Sequence, residues 1–179
     1  AMSSLLEEGE ARAKARLKEL PKGEFHVEDY LDESYVSPEP LKLTAKIRIT
    51  DEAFTVDFSG NPKALPAPLN NPYPGTFAAV SVVFVALTNP HTPFNYGLLR
   101  PLNVIAPLGT IFNPQRPNPV SVYWETMAYA ADLVWKALAP SMPDKLSAGH
   151  FLTVAGERIS GTDPRTNEFF VVCEANPGG

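Results

Sequence analysis

The sequence predicts an α+β fold, a mainly antiparallel sheet with two long helices packed on one face. Three observations carry this reading. Residues 41–50 alternate with period two, Leu41, Leu43, Ala45, Ile47 and Ile49 against Lys42, Thr44, Lys46 and Arg48, the pattern of a half-buried strand. The segments 76–88 and 120–138 are long and apolar enough to be buried helices. Proline supplies 19 of the 179 residues, about twice its usual share of ~5%, which excludes a helix bundle and demands interrupted elements.

A first helix is expected over about 4–20, with Ser3 or Ser4 as N-cap and an apolar stripe of Leu5, Leu6, Ala13, Leu17 and Leu20, stopped by Pro21 and Gly23. Residues 24–31 alternate well enough for a short strand, and 37–40 break the chain. The runs 41–50 and 53–58 are separated by Asp51-Glu52 and read as a hairpin. The 76–88 helix is capped near Thr76 and stopped by Asn89-Pro90, and the 120–138 helix carries Val122, Met127, Ala130, Val134, Ala137 and Leu138 near one face. Short strands are expected at 102–106, 151–155 and 168–174, with a turn at 161–167, all in the same sheet. The whole reads as one domain, a helical segment over 3–23 and an α+β core over 24–179, with Ala1-Met2 an expression remnant. The Pro177-Gly178-Gly179 ending directly after a strand reads as the interior of a larger protein.

Net charge is −5 and pI about 5.2, which argues against nucleic acid or an anionic membrane as main partner. No apolar run reaches the ~18 residues of a membrane span, and the charged first twenty residues are not a signal peptide. Cys173 is the single cysteine, so no intrachain disulfide forms and a reducing, cytoplasmic setting is expected.

Charge is distributed unevenly. Residues 61–120 contain no acid, three bases (Lys63, Arg100 and Arg116) and 12 of the 19 prolines. Such a stretch is core, subunit interface or the wall of a site that accepts anions, because linkers are polar. No phosphate loop, dinucleotide fingerprint or nucleophile elbow is present. No metal is expected in this chain, because His26, His91, His150 and Cys173 lack ligand spacing. Asp51, Glu52 and Asp57 read as turn and strand acids, and Tyr123, Trp124 and Tyr129 as helix packing. The candidate substrate- or anion-binding residues are Asn70, Asn95 and Arg100. Arg100 has no acid near it in sequence, so it either pairs through tertiary contact, with Asp57 as first choice, or holds an anion. A buried pair would make Arg100→Ala cost about 3–5 kcal/mol.

A series of short motifs runs in order along the chain: Leu20-Pro21-Lys22-Gly23, Val56-Asp57-Phe58-Ser59-Gly60, Leu69-Asn70 with Thr76 six residues on, Asn95-Tyr96-Gly97-Leu98-Leu99-Arg100-Pro101, Pro107-Leu108-Gly109-Thr110, Asn113-Pro114, Pro119-Val120 and Ala137-Leu138-Ala139-Pro140. Over nearly the whole length this resembles the hydantoinase B / oxoprolinase family, the second subunits or C-terminal halves of N-methylhydantoinases, 5-oxoprolinases and acetophenone carboxylase-type enzymes. The chain departs from the family pattern at Pro72 and Pro74, and at Ser34-Tyr35, where the family usually has a glycine. The resemblance implies an internal fragment of a B-type subunit, or a short split-gene product, inactive alone. It implies ATP and a divalent metal elsewhere in the full enzyme, a companion hydantoinase A-type subunit, the remainder of the B-type subunit as partner, and a homo- or hetero-oligomer. The implied reaction is ATP-driven hydrolysis of a cyclic amide, with an acetophenone carboxylase-like reaction as the alternative. Two functional readings remain: a piece of the substrate pocket, or an assembly module whose work is subunit contact.

Overall fold

In the computed structural model the period-two segment becomes the spine of the main sheet. The structure describes residues 2–32, 34, 36, 38–146, 148–149, 152 and 154–177. Strands β1 (Gly23–Leu31), β2 (Leu41–Ile49), β3 (Phe54–Asp57) and β4 (Leu102–Ile105) lie side by side in that order. The hairpin is present, with Ile47 opposite Val56. Its turn is closed by the Thr50 hydroxyl oxygen, which accepts from the amides of Glu52 (3.2 Å) and Ala53 (3.0 Å). β4 joins β3 in parallel. Parallel neighbours require a crossover, and here the connection carries helix α2 (Tyr73–Thr88). Along β2 the odd-numbered residues from Leu43 to Ile49 are buried and Lys42, Lys46 and Arg48 are exposed, as the alternation predicts.

α2 and helix α3 (Tyr123–Leu138) pack together, α3 lying against β1 and β2 and α2 reaching β4. Val80, Phe84, Leu133 and Val134 are fully buried beneath them, and the Phe54 and Phe84 rings meet at 5.4 Å. α2 begins earlier than expected. Pro72 is its N-cap and Pro74 stands in its first turn, where the missing N–H costs nothing. Thr76 is no cap. Its hydroxyl is buried and donates to the Phe112 carbonyl (2.7 Å).

The strands near the C-terminus do not join this sheet. β5 (Val154–Thr162) and β6 (Phe169–Pro177) form a separate antiparallel ribbon. The chain accordingly divides into two compact units, 1–149 and 150–179. The turn of the ribbon starts later than the sequence suggests, because the Asp163 carboxylate accepts from the Arg165 amide (2.8 Å) and Asn167 supplies a φ of 58°. The readings placed on residues 35, 37, 150, 151, 153, 178 and 179 lie outside the described residues.

Helix α1 (Met2–Leu17) contains Ser3 rather than being capped by it, and the Ser3 hydroxyl donates to Glu7 (3.0 Å). Its buried stripe is Gly9, Ala13 and Leu17, whereas Leu5 is exposed. Small residues line the contact because α1 meets the 3-10 turn at Tyr96–Leu99 at backbone distance. A Cβ on Gly97 would lie 2.0 Å from the Leu6 carbonyl oxygen, and one on Gly9 would lie 2.4 Å from Asn95 Oδ1. Gly97→Ala is therefore expected to destabilise the protein by about 1–3 kcal/mol, since the obstacle is backbone and cannot swing aside. Urea unfolding measures this, and a variant as stable as the parent would show that α1 does not pack as described.

Candidate functional site

The chemistry of residues 61–120 starts from a shortage. Each proline removes a backbone N–H and keeps its carbonyl, so a buried proline-rich stretch has more acceptors than donors to satisfy them. Asparagine side chains supply the difference. Asn70 is fully buried. It accepts from the Leu65 amide (2.8 Å), and its Nδ2 donates to the carbonyls of Leu65 (2.9 Å), Ala67 (2.8 Å) and Pro119 (2.8 Å). Asn61 Nδ2 donates to Thr44 and Phe58 carbonyls, both at 2.7 Å, and Asn113 Nδ2 to the Ala106 carbonyl (2.8 Å).

This places the predicted site residues plainly. Asn70 has no capacity left for a substrate. Asn95 is the N-cap of the Tyr96–Leu99 turn, accepting from the Gly97 amide (2.8 Å). Arg100 is paired, but not with Asp57. Its Nη1 donates to Glu10 Oε2 on α1 (2.9 Å). Glu10 also meets Lys14 (3.2 Å), which reaches Glu52 in the hairpin turn (3.0 Å). Helix α1 lies where the sequence could not place it, next to the turn that carries Arg100, and so Glu10 is the nearer acid. Asp57 instead accepts from the Ser59 amide (2.7 Å) and stands on the outer sheet face in register with Lys46 and His26. Asn70, Asn95 and Arg100 thus do not converge. The hydrogen bond from Arg100, then that from Lys14, hold the Glu10 carboxyl below the ordinary carboxylate range. Among the described residues no group of three or more His, Cys, Asp or Glu side chains gathers in a metal-holding cluster, and His150 lies outside them.

The largest concave surface was not singled out by residue type. It is an apolar groove of about 690 Å³ along the outer side of α2, lined by Phe77, Val82, Val85, Phe94, Tyr96 and Leu99 among others. Val82, Phe94 and Tyr96 are 70%, 57% and 74% exposed. The available signal was that 76–88 is apolar on all sides, which marks a helix covered on two faces. A second residue missed in the sequence is Glu125 at the start of α3, whose carboxyl is pushed up by burial.

The model of the Hydantoinase B/oxoprolinase family matches residues 1–179. The chain belongs to the hydantoinase B/oxoprolinase family. Among curated proteins this hydantoinase B chain is 32% identical over 160 residues to the B-type subunit of a "Putative D-/L-hydantoinase" of Pseudomonas sp. (strain NS671), covering 83% of this chain and 27% of that one. It is 41% identical over 109 residues to the uncharacterized protein MJ0963 of Methanocaldococcus jannaschii, 60% of this chain and 19% of that one. Among solved structures it resembles the ATP-dependent caprolactamase from Pseudomonas jessenii, with a TM-score of 0.80, 26% identity, and coverage of 95% of this chain and 29% of that one. The nucleotide-free acetone carboxylase superposes with a TM-score of 0.77 at 18% identity, covering 92% of this chain and 24% of that one, a likeness of fold. The hydantoinase B chain thus spans less than a third of the length of these relatives.

Asn70→Ala is expected to cost about 3 kcal/mol or more, because one amide and three carbonyls lose their partner at once and each unsatisfied buried group costs ~1–3 kcal/mol. Denaturant unfolding reads this directly. Arg100→Ala, at a half-exposed pair, should leave the melting temperature nearly unmoved. The folded-state pKa of Glu10 is lowered, so whatever the pair contributes is present above the ordinary carboxylate range and lost as pH falls through the lowered value. Melts of parent and variant should therefore converge in acid, and a gap that widens there would contradict the pairing.

Proposed function

We propose that this chain is an assembly core of a hydantoinase B-type subunit, working within an ATP-dependent enzyme that hydrolyses a cyclic amide and inactive by itself. A companion hydantoinase A-type subunit and the remaining part of the B-type fold are its partners. ATP, a divalent metal and the bond-breaking groups belong to those parts, and the assembly is a cytoplasmic oligomer.

The observation that carries the reading is the contrast between the polar candidates and the groove. Asn70, Asn95 and Arg100 are each spent on internal bonds, while α2 presents an apolar wall with exposed Val82, Phe94 and Tyr96. Exposed apolar patches of this kind mark contact surfaces. The cyclic-amide reading is supported by the caprolactamase likeness at 26% identity and by the hydantoinase relative. The carboxylase likeness is one of fold, which does not transmit reaction type.

The test uses the chain alone and mixed with a purified A-type subunit, with ATP and either 5-oxoproline or hydantoin. No turnover is expected from the chain alone. Val82→Glu should leave the melting temperature unchanged and abolish association measured by analytical ultracentrifugation, because the new carboxylate would be buried unpaired at the contact. Turnover by the isolated chain, or undiminished association of Val82→Glu, would overturn the proposal.

A further inference from the structure

Four asparagines of the 61–120 stretch are buried: Asn61, Asn70, Asn71 and Asn89. In the first three, Nδ2 donates to a protein oxygen. Asn89 is the exception. It is 6% exposed, and its Nδ2 has no hydrogen-bond partner. A buried donor left unpaired is costly, so the atom needs an acceptor that the described residues do not supply.

Asn89 lines a cavity of about 400 Å³ between the C-terminal end of α2, the last turn of α1 and the segment after α3. The other polar side chains around it are Arg16, Glu19, Thr88, His91, Thr92 and Lys145. Arg16 is bonded to Glu19 at 2.9 and 3.0 Å, and Thr88 donates to the Phe84 carbonyl. Lys145 and His91 form no side-chain hydrogen bond or ion pair among the described residues. The wall also holds an acceptor without its helical donor. The Asn89 amide caps the Val85 carbonyl (2.7 Å), but the next carbonyl, Ala86, has Pro90 at the capping position, and proline has no N–H to give.

We propose that this cavity binds a protonated phosphate group. The match is chemical. Phosphate oxygens accept from Asn89 Nδ2 and the Lys145 ammonium, with the His91 ring at the rim. The P–O–H of hydrogen phosphate donates to the Ala86 carbonyl, an acceptor at a helix C-terminus that repels a fully ionised anion. Charge-assisted bonds supply most of the affinity. The Asn89 nitrogen is covered in the unliganded chain, and rotation about its soft terminal torsion turns it to the ligand. This inference is independent of the assembly role, since the cavity is lined by residues other than Val82, Phe94 and Tyr96, which form the exposed wall of the groove.

The experiment titrates the ¹⁵N-labelled 179-residue chain with inorganic phosphate, sulfate, acetate and ammonium chloride at constant ionic strength, following the Asn89 side-chain amide and the melting temperature. Phosphate should shift the Asn89 signals saturably and raise the melting temperature. Sulfate and acetate, which carry no proton at neutral pH, should bind more weakly. Lys145→Gln, a change at an exposed residue that leaves the fold intact, should weaken phosphate binding about tenfold. Equal responses to phosphate and chloride, no effect of Lys145→Gln, or a response of Asn89 to ammonium in place of phosphate would each overturn the proposal. Sulfate binding as tightly as phosphate would overturn the role of the Ala86 carbonyl and with it the stated ligand.

Discussion

The structure depends on satisfying carbonyls that proline leaves without donors. Twelve prolines fall in residues 61–120, and much of that stretch is buried. A backbone carbonyl taken from water without a partner is destabilising, so these loops can be packed only where side chains make up the deficit. Asn70 does this for three carbonyls at once, and by reaching Pro119 it ties the loop before α2 to the segment that leads into α3. Asn61 and Asn113 do the same work for the outer end of β2 and for the segment after β4. The absence of acids has the same origin. A carboxylate accepts hydrogen bonds and donates none, and this region already has acceptors in excess.

That constraint explains how α2 comes to have two different sides. Its inner side closes the core against the sheet and α3. Its outer side is just as apolar, because a helix between proline-rich loops has few charged neighbours to pair with. α1 then closes one end of this arrangement through glycine contacts too tight for any side chain. Charges follow the packing. Arg100, Glu10, Lys14 and Glu52 form a surface chain linking the 3-10 turn, α1 and the hairpin turn.

The family relationship and the geometry bear on function in different ways. The match over residues 1–179 assigns the chain to the hydantoinase B/oxoprolinase family, and the likeness to larger enzymes identifies it with a region that makes up under a third of their length. Within that region the motif residues that first suggest catalysis, Asn70 and Asn95, are structural. Their place in the motif series follows from loop geometry. Surfaces that remain chemically unspent are the α2 groove and the cavity at Asn89.

The sequence alone determined the elements whose signal is local. Alternation through 41–50 specified a half-buried strand and its hairpin with 53–58, since a one-residue slip would turn every Leu and Ile outward. Apolar length specified α2 and α3, and the ordered motifs specified the family. Tertiary structure alone decided the rest. β4 is parallel to β3 because of where the α2 crossover delivers the chain, and β5 and β6 form their own ribbon, a choice of partner that no local pattern encodes. Arg100 pairs with Glu10, 90 residues away, because helix packing and not sequence distance sets which carboxylate is near. Whether an asparagine binds substrate or holds a loop is likewise invisible in its type. It is settled by whether carbonyls surround it, as they do at Asn70, or leave its amide unpaired, as at Asn89.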